Sequence, residues 1–103
     1  MKTIKIQLEY QCYPIWIYDD EGNVEDTALP PELVDDHELD EKFISLQKRF
    51  DGTYVDTSTE FYNKGFSSPE DKTAFDADLR VAVSEFIEKC PEFYSVEVSK
   101  HLF

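Results

Sequence analysis

Residues 3–18 read TIKIQLEYQCYPIWIY, and this stretch decides the fold because it holds two strands separated by a short break. Ile4, Ile6, Leu8 and Tyr10 alternate with polar residues, which predicts a half-buried strand with one face in water. Residues 13–18 are rich in aromatic and β-branched side chains and predict a second strand. The connection is short, with a tight turn or bulge around residues 11–13, so we expect the two strands to pair antiparallel.

The second strand distributes its side chains over two faces. Because successive side chains of a strand point to opposite sides, we expect Ile15 and Ile17 on one face and Trp16 and Tyr18 on the other. The segment DDEGN, residues 19–23, follows directly and predicts a turn whose glycine is free to adopt a positive φ. Trp16 fits two roles, since a large ring is usually mostly buried in a small domain but is also enriched in binding hot spots.

The first long helix is predicted over residues 36–50, after a short helical turn at residues 31–34. Hydrophobic residues recur on it at helical spacing and form one stripe. The stripe consists of Leu39, Phe43, Leu46 and Phe50. We expect the opposite face, which carries Asp36 and Asp40, to lie in water.

A second helix is predicted to begin with Ser68 as its N-cap and Pro69 in the first helical position, and Pro91 ends it. Hydrophobic residues again recur with helical periodicity and predict one apolar face. That face comprises Phe75, Leu79, Ala82, Val83, Phe86, Ile87 and Cys90.

The last segment, residues 93–103, alternates again and predicts a third strand. We expect Tyr94, Val96 and Val98 on one face of this strand, and we expect it inside the sheet rather than at an edge. Residues 53–66 fit either a further strand or an ordered loop.

The order of these elements predicts an α+β fold. Helices at this spacing bury their stripes on one face of a sheet. We therefore expect a single domain, residues 1–103, with two layers: an antiparallel sheet of three to four strands and two main helices packed on one face. A chain of 103 residues buries about two-thirds of its unfolded surface, enough for a core without metal or disulfide.

Composition and cysteine usage point to a cytoplasmic protein. No apolar run approaches the roughly 20 residues of a transmembrane helix, and the alternating N-terminal segment lacks the continuous apolar region of a signal peptide. Cys12 and Cys90 lie far apart in the sequence, and we expect both to be reduced and buried.

Motifs for chemistry are missing from the sequence. Aligning Gly22 with the invariant glycine of an EF-hand places Ala28 where the bidentate glutamate should stand, so the calcium motif fails. His37 and His101 have no second ligand at metal-binding spacing. Nucleotide-binding glycine motifs and nucleophile motifs are absent too, which predicts no metal, no cofactor and no enzymatic activity.

Acidic residues are concentrated in one segment. Eleven of the 23 acids lie between Asp19 and Glu41, where there is no Lys or Arg, so this segment carries −11 of the net charge of −13. Such a charge repels nucleic acid and anionic membranes, and it favours either a basic protein partner or plain solubility. Trp16 and Tyr18 directly precede this segment, and aromatic rings beside carboxylates can bind the Arg and Lys side chains of a partner. The residues predicted to bind a partner are Trp16, Tyr18, Asp19, Asp20, Glu21, Glu25, Asp26, Glu32, Asp35, Asp36, Glu38, Asp40 and Glu41.

In size, acidity and fold class the chain resembles the small acidic immunity proteins of bacterial polymorphic, contact-dependent toxin systems, and the stretch YDDEGNVEDTALPPELVDDHELDE, residues 18–41, carries the resemblance. The resemblance implies a cytoplasmic protein that binds a cognate toxin domain, often a basic nuclease, and blocks its active site or an exosite with an acidic surface. It rests on no diagnostic motif, so it assigns no individual residue.

Three hypotheses follow from the sequence. The first is a toxin inhibitor, which predicts a neighbouring reading frame for a large protein with a basic C-terminal domain. The second is a nucleic-acid mimic that regulates a DNA-binding protein, in which case DNA competes for the same acidic surface. The third is a non-enzymatic assembly domain whose acids only keep it soluble, so that neutralising them leaves binding unchanged.

Overall fold

The computed structural model describes residues 2–99, which form six strands, two α-helices and a short 3₁₀-helix. In chain order the elements are β1 (Thr3–Ile6), β2 (Ile15–Tyr18), β3 (Val24–Asp26), the 3₁₀-helix (Pro31–Leu33), α1 (His37–Asp51), β4 (Tyr54–Asp56), β5 (Phe61–Asn63), α2 (Pro69–Lys89) and β6 (Ser95–Val98).

The first two strands pair antiparallel, as predicted. Ile4 lies opposite Ile17 and Ile6 opposite Ile15, so the four isoleucines face the same side. The chain reverses between the strands through Gln11, which has a positive φ of 58°. The first strand is shorter than the alternation predicted, since β1 ends at Ile6.

Both helices pack on the isoleucine face, so the predicted two-layer α+β fold is confirmed. The isoleucines of β1 and β2 share one core cluster with the buried faces of α1 and α2. At its centre the rings of Phe43 and Phe86 meet edge to face, with their centroids 6.2 Å apart. Burying rings of this size supplies much of the hydrophobic stabilisation of a small domain.

The helix boundaries follow the predicted capping residues. Ser68 accepts a hydrogen bond from the backbone N–H of Asp71 at 3.1 Å, and Pro69 occupies the first helical position. The helix α2 ends at Lys89, two residues before Pro91. The predicted apolar face of α2 is wrong at one position. Ile87 is 48% exposed, because the buried stripe of α2 is narrower than predicted and leaves this side chain in water.

The sheet is mixed rather than antiparallel, and its strand order is β3-β2-β1-β6. The last strand runs parallel to β1, with Thr3 opposite Ser95 and Ile6 opposite Val98. Because residues 7–94 lie between β1 and β6, the chain has room for the long connection that a parallel pair requires. The prediction of an interior strand is also wrong, since β6 forms an edge, and Tyr94 precedes the strand.

Residues 53–66 form a hairpin with its own two-stranded sheet. Strand β4 pairs antiparallel with β5, and a turn at residues 57–60 connects them. Thr53 anchors the hairpin: its carbonyl oxygen accepts from the N–H groups of Lys64 and Gly65 at 2.7 and 3.2 Å, and its hydroxyl donates to the carbonyl of Phe50 at 2.7 Å.

Strand β3 was not predicted from the sequence. It lies inside the acidic segment, all three of its residues are exposed, and a bulge interrupts its pairing with β2. A strand of one valine and two acids has no alternation to detect.

Both cysteines within the described residues are free thiols, but neither is fully buried. Cys90 packs against the core from its rim, because it follows the last residue of α2. Burial, and then the nearby Glu32 carboxylate, raise the pKa of the Cys90 thiol. His101 lies outside the described residues.

Candidate partner-binding surface

The side of the sheet that faces away from the helices is called here the open face. Strand register aligns its side chains in two rows across the sheet. One row is Ser95, Thr3, Tyr18 and Val24, and the other is Glu97, Lys5 and Trp16. Trp16 and Tyr18 therefore share one face, opposite Ile15 and Ile17, as the alternation predicted.

Tyr18 lies across β1 on the open face. The ammonium of Lys5 is 4.8 Å from the centre of the Tyr18 ring, and the amide of Gln7 donates to the Tyr18 hydroxyl at 3.3 Å. Lys5 also reaches Glu97, with 4.0 Å between nitrogen and oxygen. The ring already holds one cation of this chain, so the surface has the chemistry to bind an ammonium or guanidinium group.

Trp16 is half-buried and lies outside the isoleucine core. Its indole nitrogen is shielded from solvent and finds no acceptor among residues 2–99. A buried indole N–H usually has a hydrogen-bond partner, and leaving it unpaired is unfavourable. Trp16 is thus a ring of the open face with an unsatisfied donor.

The turn after β2 presents carboxylates at the end of this face. Asp19 organises the turn, since its carboxylate accepts from the N–H groups of Glu21 and Asn23, both at 2.9 Å. Gly22 has a φ of 85°, as predicted. A shallow cavity of about 260 Å³ lies where the turn meets the open face. It is lined by Thr3, Lys5, Tyr18, Asp19, Asp20, Gly22 and Glu97.

The charges of carboxylates from three elements act on Lys2. Its ammonium donates to Glu25 at 2.9 Å. The hydrogen bond to Glu25, and the fields of Glu25, Asp20 and Glu32, raise the pKa of Lys2. The turn, β3 and the 3₁₀-helix therefore bring their acids to one end of the domain.

Glu32 joins this end to the start of β6. Its two oxygens accept from the Tyr94 hydroxyl at 2.9 and 3.1 Å. Burial, and then this bond, raise the pKa of Tyr94 to about 12.

Asp36 links the acidic residues to both helices. Its carboxylate caps α1 by accepting from the Leu39 N–H at 3.1 Å, and it accepts from the Lys89 ammonium at 2.7 Å. The bond from Lys89, and then that from Leu39, hold the pKa of Asp36 below its usual value. The turn at 19–23, Glu25, Glu32, Asp35 and Asp36 are together called the acidic end.

The expectation that Asp36 and Asp40 face water is wrong. Both are half-buried, because each has a partner far away in the sequence. Asp40 accepts from the Tyr13 hydroxyl at 2.8 Å. Burial, and then this bond, raise the pKa of Tyr13.

Four of the predicted acidic residues lie outside the acidic end. Glu38 and Glu41 line a cavity of about 390 Å³ between α1 and α2, on the helical side of the molecule. Asp40 belongs to the contact with Tyr13. Asp26 lies on β3 and accepts from the N–H of Thr27 at 2.8 Å. The predicted set is thus divided between the acidic end, the open face and the first turns of α1.

Sequence reasoning missed Lys5, Gln7 and Glu97 as part of the open face. Alternation places Lys5 and Gln7 on the polar side of β1, but only the strand register shows that they contact Tyr18. The position of Glu97 depends on the parallel pairing of β6, which was not predicted.

Within residues 2–99, no group of three or more His, Cys, Asp or Glu side chains is arranged to hold a metal ion. In the same range, no helix is long and apolar enough to span a membrane.

A comparison with known families matches this chain over residues 2–101 to the family described as Serratia CdiI immunity protein-like. A comparison with curated proteins gives no match. The match spans nearly the whole chain and includes the open face and the acidic end. The chain belongs to the Serratia CdiI immunity protein-like family.

Proposed function

We propose that this protein is an immunity protein that binds a cognate toxin domain in the cytoplasm and neutralises it. Its membership of an immunity protein family supports this role. We further propose that the toxin domain is basic and that the acidic end makes the central contact. The observation that carries this finer proposal is the position of acids from the turn and β3: Asp19 and Asp20 line the cavity beside Tyr18, and Glu25 contacts Lys2 at 2.9 Å.

The rings next to the acidic end suit the same partner. Tyr18 and the turn carboxylates line one shallow cavity. Carboxylates attract and pair with Arg and Lys side chains, and a ring beside them adds desolvated area and cation–π contact. A basic side chain of the toxin would displace Lys5 from the Tyr18 ring and take its place between ring and carboxylates.

We propose a nuclease as the toxin. An enzyme that binds nucleic acid presents Lys and Arg to the phosphates, so its substrate-binding surface is positive. An acidic protein seated there competes with the substrate. Inhibition then comes from occupancy of the site or of a neighbouring surface, and the immunity protein itself performs no reaction.

The test uses the full chain and the C-terminal domain of the large protein encoded by the neighbouring reading frame. We expect a one-to-one complex, measured by titration calorimetry, and loss of the domain's nuclease activity at equimolar immunity protein. A domain that fails to bind would overturn the function. A domain that binds and is neutralised but cleaves no nucleic acid would overturn only the assignment of a nuclease.

A further inference from the structure

A second surface lies at the opposite end of α1 from the acidic end. Four aromatic rings form a ladder there that runs from the core to the surface. The ring of Phe50 is 5.5 Å from that of Tyr54, and Tyr54 stacks on Phe61 at 5.5 Å with an angle of 17°. Tyr10, from the β1–β2 connection, closes the group at 4.8 Å from Tyr54 and 5.2 Å from Phe61. We call Tyr10, Tyr54 and Phe61 the hairpin patch.

Phe61 is the outermost ring and is 59% exposed, although it is stacked on Tyr54. The part of the Phe61 ring that is left in water contributes nothing to folding, and exposed aromatic rings are typical of binding hot spots. The next residue, Tyr62, is 50% exposed on the other face of the hairpin, because neighbouring side chains of a strand alternate.

The hairpin holds Phe61 in a defined position. Thr53 is only 3% exposed and bonds to the segment that leaves β5. At the other end, the Thr57 N–H donates to the Glu60 carbonyl at 2.8 Å, and the Thr57 hydroxyl accepts from the Glu60 N–H at 3.0 Å. A ring presented on a rigid support binds with a smaller loss of conformational entropy.

Carboxylates accompany the exposed ring. Asp56 lies directly opposite Phe61 in the strand register, and Glu60 precedes Phe61 in the sequence. One oxygen of Asp56 accepts from the Tyr10 hydroxyl at 3.2 Å. A carboxylate has further acceptor positions, so Asp56 still has room for a donor from a partner. An aromatic face with an ionised carboxylate beside it is suited to a guanidinium group, which stacks on the ring and donates to the acid.

We propose that the hairpin patch binds an arginine side chain of the toxin domain, as a second contact besides the acidic end. The proposal rests on the proposed function. The 15-residue helix α1, roughly 22 Å long at 1.5 Å per residue, separates the two surfaces. A standard interface of about 800 Å² per partner has this width, so one toxin domain reaches both.

The test measures the affinity of the same toxin domain for variants of the full chain. Phe61→Leu keeps an apolar contact with Tyr54 and removes the aromatic face, and Asp56→Asn keeps an acceptor for Tyr10 and removes the charge. We expect each to raise Kd about tenfold. Tyr62→Leu is the matched control, since it removes a similarly exposed ring from the opposite face, and we expect its Kd within about twofold of the wild type. Circular dichroism and thermal melting verify that each variant is folded.

The outcomes separate this inference from the proposed function. If the wild type does not bind the domain, both fail. If the wild type binds the domain but Phe61→Leu and Asp56→Asn leave Kd unchanged, only the hairpin contact is overturned. Equal losses for Phe61→Leu and Tyr62→Leu would overturn the choice of face. A wild-type dimer that Phe61→Leu dissociates, seen by light scattering, would make the occupant a second copy of the chain and overturn the arginine contact.

Discussion

At the scale of single residues, Asp36 has two structural roles in addition to its charge. It caps α1 and bonds to Lys89 at the end of α2, so one carboxylate joins the start of one helix to the end of the other. Capping residues and paired carboxylates both stabilise the folded state, and Asp36 combines them.

Asp36→Asn separates the two roles, because asparagine caps helices almost as well but has no charge for Lys89. The folded-state pKa of Asp36 is lowered, so its ionic contribution is present above the unfolded pKa of about 3.9 and is lost as pH falls through the folded value. We expect the wild type to be more stable than Asp36→Asn at about pH 7 and the difference to vanish in strong acid. Urea unfolding of both proteins across this range measures it. A difference that is independent of pH would contradict the ionic role.

Phe43 is the residue whose truncation should cost the most stability. It is fully buried between the sheet and α2, and its ring contacts those of Phe86 and Tyr13. We expect Phe43→Ala to lower the free energy of unfolding by about 3–5 kcal/mol, through lost burial and a cavity.

The control for Phe43→Ala is Phe93→Ala, since Phe93 is 57% exposed. We expect this change to stay within about 0.5 kcal/mol. Chemical denaturation measures the free energy of unfolding of both variants. Similar losses for the two would contradict the central position of Phe43 in the core.

Residue positions were predictable where they depend on local periodicity. Leu39, Phe43 and Leu46 are buried, as their spacing indicated. The partners of Asp36 and Asp40 were not predictable, because Lys89 and Tyr13 lie 53 and 27 residues away. Helical periodicity identifies the face that a side chain occupies and cannot identify which distant residue contacts that face.

At the scale of elements, the hairpin β4–β5 is a small independent sheet. Isolated two-stranded hairpins are marginally stable in water, so this one depends on the aromatic ladder and on Thr53. The Thr53 hydroxyl donates to the Phe50 carbonyl at 2.7 Å and accepts from the Asn63 amide at 3.2 Å, which connects the end of α1 to β5.

Thr53→Val keeps the shape of the side chain and removes both bonds. We expect a loss of about 1–2 kcal/mol in the free energy of unfolding, because Thr53 is buried and its hydroxyl bonds to the Phe50 carbonyl and the Asn63 amide are both removed. We also expect faster hydrogen exchange at the amides of β4 and β5 than at those of β1 and β2. Exchange that rises equally in both sheets would show that the hairpin unfolds only with the whole domain.

Elements with strong local signals were predicted well, and pairings between distant strands were not. Ser68, Pro69 and Pro91 predicted the limits of α2 closely. Strand β3 has no hydrophobic alternation, and the direction of β6 depends on how α2 crosses the sheet. Residues 53–66, for which the sequence left strand and loop open, form a strand pair. Its turn consists of Thr and Ser and lacks the Asn-Gly pair that identifies a hairpin in a sequence.

At the scale of the whole molecule, the net charge of −13 is unevenly distributed. The acids of the turn, β3 and the 3₁₀-helix meet at the end where α1 begins and α2 ends. We expect this arrangement to steer a basic partner, with an on-rate that approaches ~10⁸ M⁻¹s⁻¹ at low salt and falls steeply towards physiological salt. Stopped-flow association with the toxin domain measures it. An on-rate that does not change with salt would rule out steering.

Charge reversal tests where the contact lies. Glu21 and Asp35 are exposed at the acidic end, and Glu70 and Asp71 are exposed at the far end of α2. The double variants Glu21→Lys with Asp35→Lys and Glu70→Lys with Asp71→Lys change the net charge equally. We expect the first to raise Kd for the toxin domain at least about tenfold and the second only a few fold. Equal effects would mean that total charge matters and position does not.

The parallel pairing of β1 with β6 also has a consequence for how the protein is made. During translation β1 and β2 leave the ribosome early and can pair at once, but the other edge of β1 waits for a strand that is synthesised after every other described element. A nascent chain that stalls after α2 therefore presents the backbone of β1 as an open edge, which other unfinished chains can extend. The sheet, and with it the neighbourhood of Lys2 and Tyr94, is completed only when β6 has emerged.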